Sequence, residues 1–89
     1  MPTGITRPTD LSRAFATQMR VERAVLALNQ KEIRIRTGLS ASMFSSFETG
    51  LKVPNLSQAD LISQALGLNL TEMIRRAVER NDKKKEEST

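Results

Sequence analysis

Four serines, at positions 40, 42, 45 and 46, crowd into the stretch GLSASMFSSFETG (residues 38–50). A hydroxyl becomes a nucleophile only beside a general base. The chain has no histidine and no cysteine, which excludes Ser–His and Cys–His catalysis and leaves a zinc site without its usual ligands. No other set of acids, bases or metal ligands converges in the sequence, so the expectation is a protein that is not an enzyme and needs no cofactor. What remains for this chemistry is hydrogen bonding by hydroxyls and neutralisation of anions by lysines and arginines.

The cations are unevenly placed. Residues 1–55 carry eight Lys or Arg against four Asp or Glu, and so hold the whole net charge of +4. Residues 56–80 and 81–89 each balance three against three. A basic first two-thirds beside a neutral remainder fits a half that faces a polyanion. No apolar run approaches the ~20 residues that span a membrane, and the N-terminus lacks a signal-like apolar stretch. The expected setting is therefore cytoplasmic, with no membrane partner.

Helices must position these groups. Residues 1–8 (MPTGITRP) read as a flexible arm. Thr9 or Asp10 can cap a helix from Leu11 to about Ala27, with Leu11, Phe15 and Met19 inward and Ala14, Val21, Val25 and Leu28 beside them. Arg13, Arg20 and Glu22 are expected in water. Asn29 with Glu32 forms a capping-box pattern for a second helix, ended by Gly38, and Ser40 caps a third. Phe44 and Phe47, two of the chain's three aromatics, fall on one face of that third helix. The segment is thus a short helix with an apolar underside and a serine-covered outer face. Asn55 with Gln58 opens a fourth helix ended by Gly67, and Asn69 with Glu72 opens a fifth carrying Leu70, Met73, Ile74, Ala77 and Val78. The expected fold is all-α: a compact five-helix bundle. Helix, glycine-containing turn and helix over residues 28–50 make a helix-turn-helix. Residues 9–80 form this domain, with its two key helices at 30–37 and 41–48, and 81–89 read as a disordered charged tail.

LNQKEIRIRTGLSASMFSSFETG followed by LKVPNLSQADLISQALGLNLTEMI closely resembles the lambda-repressor-like, Cro-like (XRE-type) DNA-binding domain. The resemblance runs from about Met19 to Ile74. It includes Asn29-Gln30 opening the second helix, Gly38 in the turn, Glu48-Thr49-Gly50 after the third helix, and Pro54 in the next loop. It implies that Ser40 to Ser46 form the exposed face of a recognition helix, with Ala41, Ser42, Ser45 and Ser46 where such proteins read base edges. Gln30 matches a residue that contacts phosphate and braces that helix. Lys52 lies in the loop that crosses the DNA backbone, and Arg23 with Glu48 matches a structural ion pair. The physics agrees: a helix fits the ~12 Å major groove, and amides at helix N-termini near Gln30 and Asn55 can bind phosphate oxygens.

The chain departs from the family in three places. Arg34 stands where alanine is usual; it either snorkels outward to phosphate or forces a wider helix packing. Ile35 falls on an exposed face, as a partner contact or an isolated surface residue. The reading face lacks Gln, Asn and Arg, so specificity leans on DNA shape or on the arm, where Arg7 either enters a minor groove or stays solvated. Val21, Val25, Ala77 and Val78 either form a dimer surface or are covered by the arm. The implied function is a small transcriptional regulator, a homodimeric repressor on a palindromic double-stranded operator. The alternative is an antitoxin or other protein-interaction module that neutralises a protein partner and autoregulates its operon.

Overall fold

Thr9 opens the first helix: its side chain accepts from Ser12 N at 3.1 Å, while Ser12 Oγ accepts from Thr9 N at 2.8 Å. Such reciprocal caps satisfy amides that helix geometry leaves unpaired, each worth about 1 kcal/mol. The computed structural model describes residues 7–88, with side chains through Lys83. These residues hold five helices: α1 (Asp10–Leu26), α2 (Gln30–Thr37), α3 (Ala41–Glu48), α4 (Leu56–Ala65) and α5 (Leu70–Ser88). Asn29 with Glu32 and Asn55 with Gln58 close the same reciprocal box at α2 and α4, Ser40 Oγ accepts from Met43 N at 3.1 Å to open α3, and Asn69 Oδ1 accepts from Glu72 N at 2.7 Å at α5. The fold is the all-α helix-turn-helix bundle that the pattern of caps and apolar residues predicts.

The connection from α2 to α3 is built by two adjacent residues. Thr37 is buried; its hydroxyl donates to Ile33 O at 2.7 Å and accepts from Leu39 N at 3.1 Å. Gly38 follows in the left-handed region, at φ 75°, which glycine adopts without the steric penalty of a Cβ. At the end of α1 the same conformation falls to Ala27, at φ 54°, where a Cβ is costly.

The core joins Phe15 and Met19 from α1, Leu28, Ile33 from α2, Phe44 and Phe47 from α3, Ala59, Ile62 and Leu66 around α4, and Met73 from α5. Each large apolar side chain so buried supplies roughly 1.5–3 kcal/mol of transfer free energy. The two phenylalanines of the serine-rich segment are therefore its anchor, and the serines are what that anchor holds outward.

Several expectations are corrected. Glu22 is buried rather than in water, because Gln18 and Arg76 enclose its carboxylate. Arg20 is exposed, but its guanidinium donates to the main chain of α3. Leu11 and Val25 face outward, Val25 at 73% exposure and off the face of α1 by which Phe15 and Met19 enter the core. Ala77 is 0% exposed, packed inside, and so is not part of a dimer surface. The fifth helix runs through Ser88, so the segment read as a disordered tail from 81 is helical. Residues 1–6 of the expected arm lie outside the described residues.

Candidate nucleic-acid interface

α3 sets a hydroxyl-bearing face on an apolar base. Phe44 and Phe47 are buried, Ser42 is exposed, and Ala41, Ser45 and Ser46 are half-buried on the outer side. The hydroxyls are not equivalent. Ser40 Oγ is engaged as the cap acceptor, so its proton is free to donate. Ser46 Oγ donates to Ser42 O at 3.0 Å, leaving only its lone pairs. Thr49 Oγ1 likewise donates to Ser45 O at 3.0 Å. Ser42 and Ser45 keep a hydroxyl that can both donate and accept.

α2 lies against α3 and presents Gln30, Lys31, Arg34 and Ile35 to solvent. Arg34 is turned outward, the first of the two arrangements its position allows. Ile35 is 72% exposed, on the outer face where the sequence puts it. Lys52 is exposed in the loop after α3, where its amide donates to Ser46 O at 3.1 Å and so ties the loop to α3. Asn55 is exposed at the start of α4; its side-chain oxygen is taken by Gln58 N at 2.8 Å, while the first amides of the helix have no intrahelical acceptor. Arg7 is exposed ahead of α1.

Charge pairing divides the molecule. On α1 and α5, Arg13, Arg23, Arg75 and Arg76 all sit in salt bridges. Among the described residues, Arg7, Arg20, Lys31, Arg34, Arg36, Lys52 and Arg80 are in none, so every cation of α2 and of the α3–α4 loop lacks a carboxylate partner. Arg23 and Glu48 form an ion pair: Arg23 Nε meets Glu48 Oε2 at 2.7 Å and Nη2 meets Oε1 at 3.3 Å, with Glu48 buried. On α5, the Glu72 carboxyl is held down at about 2, first by side-chain bonds from Arg75 and next by those from Arg76.

Sequence reasoning missed four residues that shape this site. Gln18, Glu22, Arg76 and Arg80 form one polar seam between α1 and α5, with Arg80 Nε donating to Gln18 Oε1 at 2.9 Å. Arg36 was also passed over; its Nη1 donates to Ala65 O at 3.0 Å and fixes α2 to the end of α4. The bonds Gln18–Glu22 and Arg76–Glu72 span one turn of a helix, but the bonds that join the helices have partners 29 to 62 residues away, which no local pattern reports. Of the residues read as a dimer surface, Val25 and Val78 are exposed, Val21 is half-buried, and Ala77 is in the core. Among the described residues no group of three or more His, Cys, Asp or Glu could hold a metal, and no helix is long and apolar enough to cross a membrane.

These helices and their open cationic side define an all-α helix-turn-helix domain. Among solved structures it is similar to the crystal structure of the clp gene regulator ClgR from Corynebacterium glutamicum, with a TM-score of 0.81 at 18% sequence identity, over 92% of this chain and 87% of that one. The likeness at that identity is one of fold. No protein-family model and no curated protein matches the chain.

Proposed function

We propose that the chain is a transcriptional regulator of the lambda-repressor-like, Cro-like kind. It binds double-stranded DNA by laying the outer face of α3 in the major groove. One observation carries this reading: α3 presents hydroxyls outward beside Lys31, Arg34 and Lys52, exposed cations that have no carboxylate partner. Phosphates would complete their charge, and base edges would meet Ser42, Ser45, Ser46 and the Ala41 methyl. Gln30, Ser40 and Asn55 stand at helix starts, where amides and side chains suit phosphate oxygens. The solved regulator of the same fold is named for gene regulation, which supports a regulatory role here.

One such domain reads a half-site weakly; two copies on half-sites ~34 Å apart multiply affinity and specificity. We accordingly infer a homodimer acting as a repressor by occupying a palindromic operator, in the cytoplasm at the nucleoid. The second reading is an antitoxin-like module that neutralises a protein partner. Exposed Val25 and Ile35, both above 70% exposure, are what favour it.

The test is fluorescence anisotropy on labelled duplexes, since the chain has no Trp or Tyr to report binding. The DNA upstream of its own reading frame is compared with a scrambled duplex at several salt concentrations. Tight binding to the upstream duplex alone, weakening steeply with salt, is the expected result. Equal, feeble binding to both would sink the regulator reading and direct the search to a protein partner.

A further inference from the structure

The last turn of α3 is where the reading helix is fastened, and all four of its final carbonyls are occupied. Three are satisfied locally: Ser45 O by Thr49 N at 3.0 Å, Ser46 O by Lys52 N at 3.1 Å, and Phe47 O by Gly50 N at 3.2 Å. The fourth, Glu48 O, accepts from Arg20 Nη1 on α1. Arg20 Nη2 donates to Thr17 Oγ1 at 3.1 Å, one turn back on the same helix, so the guanidinium is gripped from both sides. One turn further along, Arg23 holds the Glu48 carboxylate and reaches Leu28 O at 3.3 Å.

Glu48 is therefore held twice by arginines three residues apart on one face of α1, once through its side chain and once through its main chain. The two grips differ in effect. A bond to the carboxylate tolerates rotation of the Glu48 side chain, whereas a bond to the carbonyl acts on the helix itself. A cation there also complements the negative end of the helix dipole. With eight residues, α3 is only ~12 Å long, so a tilt of about 10° at its end moves its first turn by about 2 Å. Placement of reading groups tolerates only about 0.5 Å.

We propose that Arg20 is a positioning residue for DNA reading: it fixes the tilt of α3 through the Glu48 carbonyl, touches no base, and sets how well sequences are discriminated. The proposal rests on the DNA-binding reading above. Its competitor is a direct phosphate contact, the usual work of an exposed arginine at such an interface.

Two measurements on Arg20→Ala separate these roles, with Arg20→Lys as a second variant whose ammonium can still donate to the carbonyl. Amide hydrogen exchange without DNA should quicken about tenfold at Thr49, Gly50 and Lys52 and stay unchanged in α4. Unchanged exchange at those three amides would overturn the brace. In anisotropy, affinity for the upstream duplex should fall about three- to tenfold, with the scrambled duplex and the salt slope unaffected and Arg20→Lys recovering most of the loss. A parallel fall on both duplexes, with the slope shallower by about one phosphate, would make Arg20 a backbone contact and overturn the proposal. If the unaltered chain does not discriminate between duplexes, the DNA reading fails and the role in reading fails with it. The exchange data still decide whether Arg20 holds α3.

Discussion

Glu22 on α1 and Arg76 on α5 meet at 2.9 Å across 54 positions of sequence, and Glu22 Oε2 also accepts from Gln18 Nε2 at 2.7 Å. The carboxylate is buried while the guanidinium is partly in water. Deleting the arginine strands a buried charge, whereas deleting both partners does not. Arg76→Met alone should cost about 1–3 kcal/mol, and Glu22→Leu with Arg76→Met together should cost less than the sum of the two single changes. Urea unfolding of the four proteins of this cycle measures the coupling, and strict additivity would show that the pair contributes nothing specific.

Acid should weaken the fold through Glu72. Its folded-state value near 2 lies below the ordinary 4.5, so the unfolded chain binds the proton more readily. The stability it contributes is fully present above about pH 4.5 and is lost as pH falls from there toward 2. The gap in melting temperature between the unaltered chain and Glu72→Gln should therefore be constant near neutrality and close across that window. A gap that widens on acidification would reverse the assignment.

Ala27 is the one non-glycine residue with positive φ among those described, at 54°. Replacing it by glycine removes the Cβ penalty of the left-handed conformation but adds freedom to the unfolded chain. The net expectation is a gain of about 0.5–1 kcal/mol, read as a rise of roughly 2–8 °C in the melting temperature. A fall would mean that the methyl group makes contacts that outweigh the strain.

Ser42 and Ser46, one turn apart on α3, and Lys52 in the following loop should respond differently to DNA. Ser42→Ala removes a hydroxyl free to donate or accept, and should lower discrimination between duplexes about three- to tenfold. Ser46→Ala removes a hydroxyl whose proton is already donated to Ser42 O, leaving only its lone pairs for DNA, and its effect should be smaller. Lys52→Ala should weaken all duplexes alike and flatten the salt slope by about one phosphate. Anisotropy titrations at several salt concentrations distinguish the three, and a Lys52 variant that alters sequence preference would contradict this division of labour.

What was legible in the sequence was local. Asn29 with Glu32, Asn55 with Gln58 and Gly38 announce their helix ends because a cap's partners lie within three or four residues. Phe44 and Phe47 declare a buried face by their spacing. Glu22 does not, because the cation that makes its burial tolerable is 54 residues away. Ala77 and Val78 adjoin in sequence, yet one is in the core and the other exposed; which of them turns inward is decided by where α1 lies against α5. Likewise the composition of the candidate interface was visible in the serines and unevenly placed cations. The fastening of α3 by Arg20 was not, since a main-chain carbonyl leaves no trace in the residue that owns it.

The seam between α1 and α5 also bears on how the chain is made. A growing polypeptide presents α1 long before Arg76 has left the ribosome, so Glu22 waits in water while the middle helices emerge. Closing a segment of that length is entropically slow to be repaid, and synthesis proceeds at about 5–20 residues per second. The bundle can therefore lock only after its fifth helix is out, and a message broken ahead of that helix yields a product with the α5-facing side of α1 uncovered, fit for degradation.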